Sequence, residues 1–141
     1  MAAYNKFNAF VADVMNKVHN LGSDVLKLLL SNVAPAATNA VKSDLTEISA
    51  QNGYSAGGGA VTVTLSVQYG GTYGLQASQV VFTASGGSFG PFQYVCLYNS
   101  TTGAGNLVSW WDYGSAVTLN NGETFTVKFN STSPGTVFTC T

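Results

Sequence analysis

The chain has 141 residues, which fits one domain, residues 1–141, with enough length for a real core. Hydrophobic residues make up 45%, which excludes a disordered composition, while charged residues make up only 8% against about 25% in a typical soluble domain. There is no arginine, there are five lysines, and the net charge is −1; this excludes the phosphate neutralisation that nucleic-acid binding draws on, and a polybasic membrane patch.

A surface made of Ser, Thr, Asn, Gln and Gly desolvates at lower cost than a charged one. It also lacks the repulsion that keeps copies apart. Such a chain suits a working life docked to other copies or partners. No apolar run approaches about 20 residues, so no membrane span is expected. The start, MAAYNKFNAF, lacks a basic region followed by an apolar one, so no secretory signal is expected.

In chain order, Phe7, Phe10, Val11, Val14, Val18 and Leu21 recur at spacings of three and four. This predicts an amphipathic helix over residues 4–21, stopped by Gly22. Residues 24–59 read as a strand, a loop and a short helix or turn. The strand lies in SDVLKLLLSN, the loop surrounds Pro35, the helix or turn falls in AVKSDLTEIS, and AQNGYSAGGG is a flexible connection. From Ala60 the period changes to two. VTVTLSVQY places Val61, Val63, Leu65, Val67 and Tyr69 on one face, as in a half-buried antiparallel strand. LQASQVVFTA is a further strand. QYVCLYN and NLVSWWDY flank STTGAG as a hairpin, SAVTL and ETFTVKF flank NNG as a tighter one, and TVFTCT adds a last strand. The resulting fold class is mainly β: an antiparallel β-sandwich, jelly-roll or Ig-like, of about seven or eight strands over residues 60–141 behind an N-terminal helix.

Candidate chemistry is sparse. Gly53-Tyr54-Ser55-Ala56-Gly57 matches the G-x-S-x-G nucleophile elbow, but no helix follows it and the sole histidine, His19, precedes it. His19 is expected at a solvent-facing or interface position. One histidine and two separated cysteines, Cys96 and Cys140, make no metal pattern. The cysteines read as reduced, mostly buried thiols, with a clamp on the C-terminal tail as the alternative. Asp112 and Glu123 are a carboxylate pair that a hairpin could bring together for glycoside hydrolysis, although Glu123 falls in a solvated turn. No phosphate loop is present, and no cofactor is expected. The sequons at Asn99 and Asn130 are expected by chance in a chain so rich in Ser, Thr and Asn.

The aromatic residues are the remaining signal. Tyr94, Tyr98, Trp110, Trp111 and Tyr113 cluster in the two strands of the first hairpin. Strand alternation sends Trp110 and Trp111 to opposite faces, one into the packed layer with Val108 and the other outward. An outward aromatic serves an interface, covers a loop or stacks on a sugar.

Taken in order, HNLGSDVLKLLLSNVAPAATNAVKSDLTEISAQNGYSAGG, VVFTASGGSFGPFQYVCLYN and WWDYGSAVTLNNGETFTVKF resemble a group of small virion structural proteins of tailed bacteriophages. The resemblance runs over nearly the whole chain; no single motif in it is specific, whereas the ordered set is. It implies a non-enzymatic virion component assembled in the bacterial host cytoplasm, a capsid decoration or cement protein, with a tail or fibre component as the alternative. The implied partners are the phage major capsid protein or other virion proteins, together with further copies of the chain. Cytoplasmic assembly also favours reduced cysteines.

Overall fold

The structure is a computed structural model that describes residues 2–130 and 133–141. It is mainly β, with several antiparallel sheets and one short helix near the N-terminus. The chain runs β1 (Asn5–Lys6), α1 (Asn8–Met15), β2 (Leu26–Ser31), a 3-10 turn at Lys42–Asp44, β3 (Gly59–Val61), β4 (Val63–Tyr69), β5 (Thr72–Ala77), β6 (Val80–Thr83), β7 (Phe89–Asn99), β8 (Leu107–Leu119), β9 (Thr124–Val127) and β10 (Gly135–Cys140). A five-stranded sheet has the order β1-β8-β7-β2-β3, a three-stranded sheet the order β10-β5-β4, and β6 pairs with β9. Every pairing is antiparallel.

The helix is shorter than its apolar spacing predicts. It ends at Met15, not at Leu21, because Lys17 adopts φ 63° just beyond it. Lys17 N–H then donates to Val14 O and Val18 N–H to Asp13 O, the paired bonds of a Schellman stop. Only Phe10 of the helix is buried, while Val11, Val14 and Met15 face outward. Phe7, just before the helix, is fully buried.

The β7–β8 hairpin forms as its alternation predicts, and β2 enters the same sheet as a nearly continuous buried run. Three other expectations change. LQASQVVFTA splits into β5 and β6, which belong to different sheets. SAVTL does not pair with ETFTVKF. It is the far half of the long β8, and β9 pairs instead with β6. VTVTLSVQY breaks at Thr62 into β3 and β4, and on β4 the side chains of Leu65, Val67 and Tyr69 are exposed rather than half-buried. Their register partners explain this. Val63 lies opposite buried Ala77 and packs on the main core, but a bulge between Val63 and Leu65 reverses the alternation, so that beyond it Ser66 lies opposite fully buried Leu75 and Leu65, Val67 and Tyr69 face out.

The main core draws on all three sheets: Leu28 and Leu30 from β2, Leu75 and Ala77 from β5, Phe82 from β6, Phe89, Phe92 and Leu97 from β7, and Val137 from β10. A second, smaller core lies on the other face of the five-stranded sheet, where Phe7, Leu29, Cys96, Tyr98 and Leu107 meet Leu45 and Trp110. The N-terminal segment and the stretch before the 3-10 turn roof this layer. Phe7 N–H donates to Val108 O, Asn8 N–H to Ala37 O, and Leu107 N–H to Ala40 O.

The Ala50–Gly59 connection is anchored, not flexible. Tyr54 is buried in the main core, and its hydroxyl donates to Glu47 Oε1 while accepting from Leu30 N–H. Glu47 Oε1 also accepts from Gly57 N–H at 2.6 Å, and Lys42 Nζ lies 3.0 Å from Glu47 Oε2. Gly58, at φ +74°, passes so close to β2 that a Cβ there would overlap the Leu28 carbonyl.

Candidate functional site: an aromatic cleft beside the long strand

The two tryptophans do lie on opposite faces, but not in the arrangement that simple alternation implies. Cys96 faces Trp110 and Leu97 faces Ser109, yet Tyr98 faces Leu107, so the register shifts by one residue at Val108. This bulge turns Val108 into the main core, on the side of Trp111, and leaves Trp110 in the second core. Trp110 stacks on Phe7 with ring centroids 4.5 Å apart. Neither tryptophan is a free outward residue: both are part-buried, each against a different core.

The sequence-predicted aromatic cluster therefore divides. Tyr94, Tyr98 and Trp110 belong to one face of the hairpin, and Trp111 and Tyr113 to the other. Tyr98 is buried, and its hydroxyl donates to Gly57 O at 2.7 Å, so it braces the loop and does not offer a contact. Tyr94 is half-buried and accepts from Gln93 Nε2, which also donates to Asp112 Oδ1 at 2.8 Å.

Trp111 and Tyr113 line a cleft of about 790 Å³, closed on the other side by Phe125 and Phe129 and at one end by Tyr4. Its origin is the pairing that β9 makes. Because β9 joins β6, the rows of β8 and β9 are not zipped together, and the space between them stays open. The walls are built of edge-on aromatic contacts: Trp111 against Tyr4 and against Phe129, each at 5.8 Å, and Tyr113 against Phe125 at 5.3 Å. Tyr113 is 55% exposed and presents a ring to solvent. Thr124, Thr126 and Lys128 supply polar groups at the lining. Burial raises the Tyr4 phenol to about 12, so it stays a neutral hydrogen-bonding group through the physiological range. Size, apolar walls and a few polar groups suit a small ligand or an inserted side chain. Tyr4 was missed because it precedes every strand signal, and Lys128 because a lone lysine on a strand has no pattern.

Compared with family models, curated proteins and solved structures, the chain matches none.

The other candidates separate. His19 is buried, not solvent-facing, because Asn99, Phe10 and the 20–24 turn enclose it. Burial lowers its pKa, and the nearby Asp13 and Asp24 carboxylates partly offset this. Asp112 and Glu123 are each engaged locally: Asp112 Oδ1 accepts from Gly114 N–H within β8, and Glu123 Oε2 from Asn120 N–H in the turn before β9. Ser55 lies in the Glu47-braced loop before β3, not between a strand and a helix. Asn99 is fully buried, so its sequon is closed to modification in the folded chain; the Asn130 sequon includes Ser131 and Thr132, outside the described residues. Cys96 is buried, with its thiol raised to about 12, whereas Cys140 is exposed at the end of β10, and both are free. No group of three or more metal-ligating side chains occurs among the described residues, and no helix among them is long and apolar enough to cross a membrane.

Proposed function

We propose that the protein is a structural component of a tailed-phage virion, a decoration or cement protein that adheres to the assembled head and acts through protein–protein contacts. The observation that carries this reading is where the apolar side chains are. Val11, Val14 and Met15 form an exposed stripe on α1, and Leu65, Val67 and Tyr69 an exposed row on β4, in a chain with only 8% charged residues. The ordered resemblance to small virion proteins supports the same reading. The sheets that share one core support a β-sandwich as the architecture. Bound across capsid subunits, such a protein stabilises the lattice by mass action, because it binds the assembled form and not the separated subunits.

Rebinding tests this. Purified protein added to capsids stripped of it is expected to rebind and to raise the temperature at which DNA is released. No rebinding, with unchanged thermal release, overturns the head placement; labelling found only on tails by negative stain assigns it to the tail or fibre instead.

A second reading is favoured by the cleft. Trp111 and Tyr113, with Thr124, Thr126 and Lys128 nearby, resemble the mixed aromatic and hydroxyl lining that holds a sugar ring. A glycan array with wild type and Trp111→Ala decides it, and an empty array removes it.

A further inference from the structure

We infer that the free edge of β4 pairs with β4 of a second copy, in antiparallel register about a two-fold axis at Val67. This deepens the docking reading by naming one partner, but it is read on the purified chain alone, so it fails or stands apart from any capsid.

The strand β4 ends the β10-β5-β4 sheet, and no strand pairs with its other side among the described residues. Exposed edges are usually guarded by lysine, proline, an inward charge or a bulge. Of these VTLSVQY has only a bulge, between Val63 and Leu65, which leaves residues 65–69 as a regular, unguarded edge that ends in the Gly70-Gly71 turn. Net charge is only −1, so two copies meet with little repulsion.

The turn fixes which backbone groups are free. Gly70 and Gly71 have φ 56° and 84°, the positive pair of a two-residue hairpin turn, so Tyr69 and Thr72 form its closing hydrogen-bonded pair. Alternation makes Val67–Gly74 and Leu65–Gln76 hydrogen-bonded pairs as well. The register shifts at a bulge between Val63 and Leu65, so the alternation holds over residues 65–69, and the N–H and C=O groups of Ser66 and Gln68 point to the open edge.

A two-fold axis at Val67 satisfies them. Ser66 bonds Gln68 of the second copy, and Gln68 bonds its Ser66. The same register sets Val67 opposite Val67 and Leu65 opposite Tyr69. These are non-hydrogen-bonded pairs, whose Cα atoms approach to about 4.5 Å and whose side chains pack most closely. Leu65 and Val67 are each 43% exposed and Tyr69 is 88% exposed in the single chain, so the pairing covers the row that the fold leaves open. Strand pairing of this length is smaller than a standard interface, so the dimer is weak and matters most where copies are already concentrated.

The test is made in a Cys140→Ser background, since Cys140 is exposed. The Val67→Cys chain is expected to form an intermolecular disulfide with itself under mild oxidation, and the Leu65→Cys chain alone to form much less. Sedimentation of wild type should show dimer at millimolar concentration, weakened about tenfold or more by Val67→Lys, which sets a charge in the paired row. Purely monomeric wild type with no cross-link of the Val67→Cys chain overturns the inference. So does cross-linking of the Leu65→Cys chain as readily as of the Val67→Cys chain, because the register is then wrong.

Discussion

Asn99 Nδ2 lies 3.1 Å from His19 Nδ1, and both residues are buried. The amide is oriented by its other end, because Asn99 Oδ1 accepts from Thr101 N–H at 3.0 Å. Its Nδ2 therefore donates, to His19 Nδ1 and to Asp24 Oδ2. That makes His19 Nδ1 an acceptor and puts the ring proton on Nε2, which lies 3.9 Å from Asp13 Oδ2. Asp13 also accepts from Asn106 Nδ2 at 3.0 Å, so one polar network ties the end of α1 to both ends of the β7–β8 turn.

This network predicts acid sensitivity. Adding a proton at Nδ1 would set it against the Asn99 amide hydrogens, and burial further disfavours the imidazolium. The folded pKa lies below the 6.5 of a solvent-exposed imidazole. The unfolded chain therefore binds the proton more readily. The contribution of His19 to stability is full above pH 6.5 and is lost as pH falls from there towards the folded value. Urea midpoints measured from neutral to mildly acidic pH should decline in wild type and stay flat in that window for His19→Gln, whatever the absolute stability of the variant. An equal decline in both would refute the assignment. Asp44 is also lowered, by hydrogen bonds from Ala40 and Val41 N–H, but its window lies below 3.8 and does not overlap.

The helix stop predicts a stabilising change. Lys17 holds φ 63° with a full side chain, a conformation that costs an L-residue about 1–2 kcal/mol and glycine almost nothing. Glycine also loses more backbone freedom on folding, which offsets part of the gain. Lys17→Gly should therefore raise stability by about 0.5–1 kcal/mol, seen as a higher thermal midpoint. Lys17→Val should lower it, because branching at Cβ worsens the same strain.

These two sites show what the sequence conveys and what it hides. The β7–β8 hairpin was legible because two apolar, aromatic-rich runs flank a Gly-rich turn. The end of α1 was not, because the left-handed residue is a lysine and the apolar spacing continues past it through Val18 and Leu21. Alternation in VTVTLSVQY announced a strand but not which face looks inward; that depends on β5, through Leu75. The split of Trp110 from Trp111 was legible, but their assignment was not, because the bulge at Val108 carries no glycine to mark it. The cleft depends on β9 choosing β6 over β8, a long-range choice invisible in the local NNG signal.

Glu47 predicts a local loss with a defined place. Its carboxylate takes the Tyr54 hydroxyl and Gly57 N–H and faces Lys42. Glu47→Ala leaves the first two without this acceptor, each worth about 1–3 kcal/mol where water cannot reach. Hydrogen exchange should quicken at Gly57 and its neighbours, with the β7–β8 hairpin amides keeping their protection relative to the global opening. Uniform quickening across the chain would show that the loop is not an independent unit.

Phe7 makes the sharpest packing prediction. It is fully buried between Trp110 and the second core, yet it belongs to a terminal segment whose strand β1 has only two residues. Two ladder positions, Asn5 to Trp110 and Lys6 to Ser109, are too few to hold the segment. The buried ring must therefore supply most of the attachment. Phe7→Ala should cost about 3–5 kcal/mol if the roof stays in place over the cavity, and less if the segment detaches. Limited proteolysis separates the two outcomes, since detachment exposes residues 2–8 to early cleavage while the remaining β core resists. Detachment also bares Trp110, shifting its fluorescence to the red, whereas a retained roof leaves the emission nearly unchanged. The expected result is detachment, with early N-terminal cleavage and a red shift; a resistant N-terminus with unshifted emission would place the attachment in the backbone bonds of Phe7 and Asn8 instead.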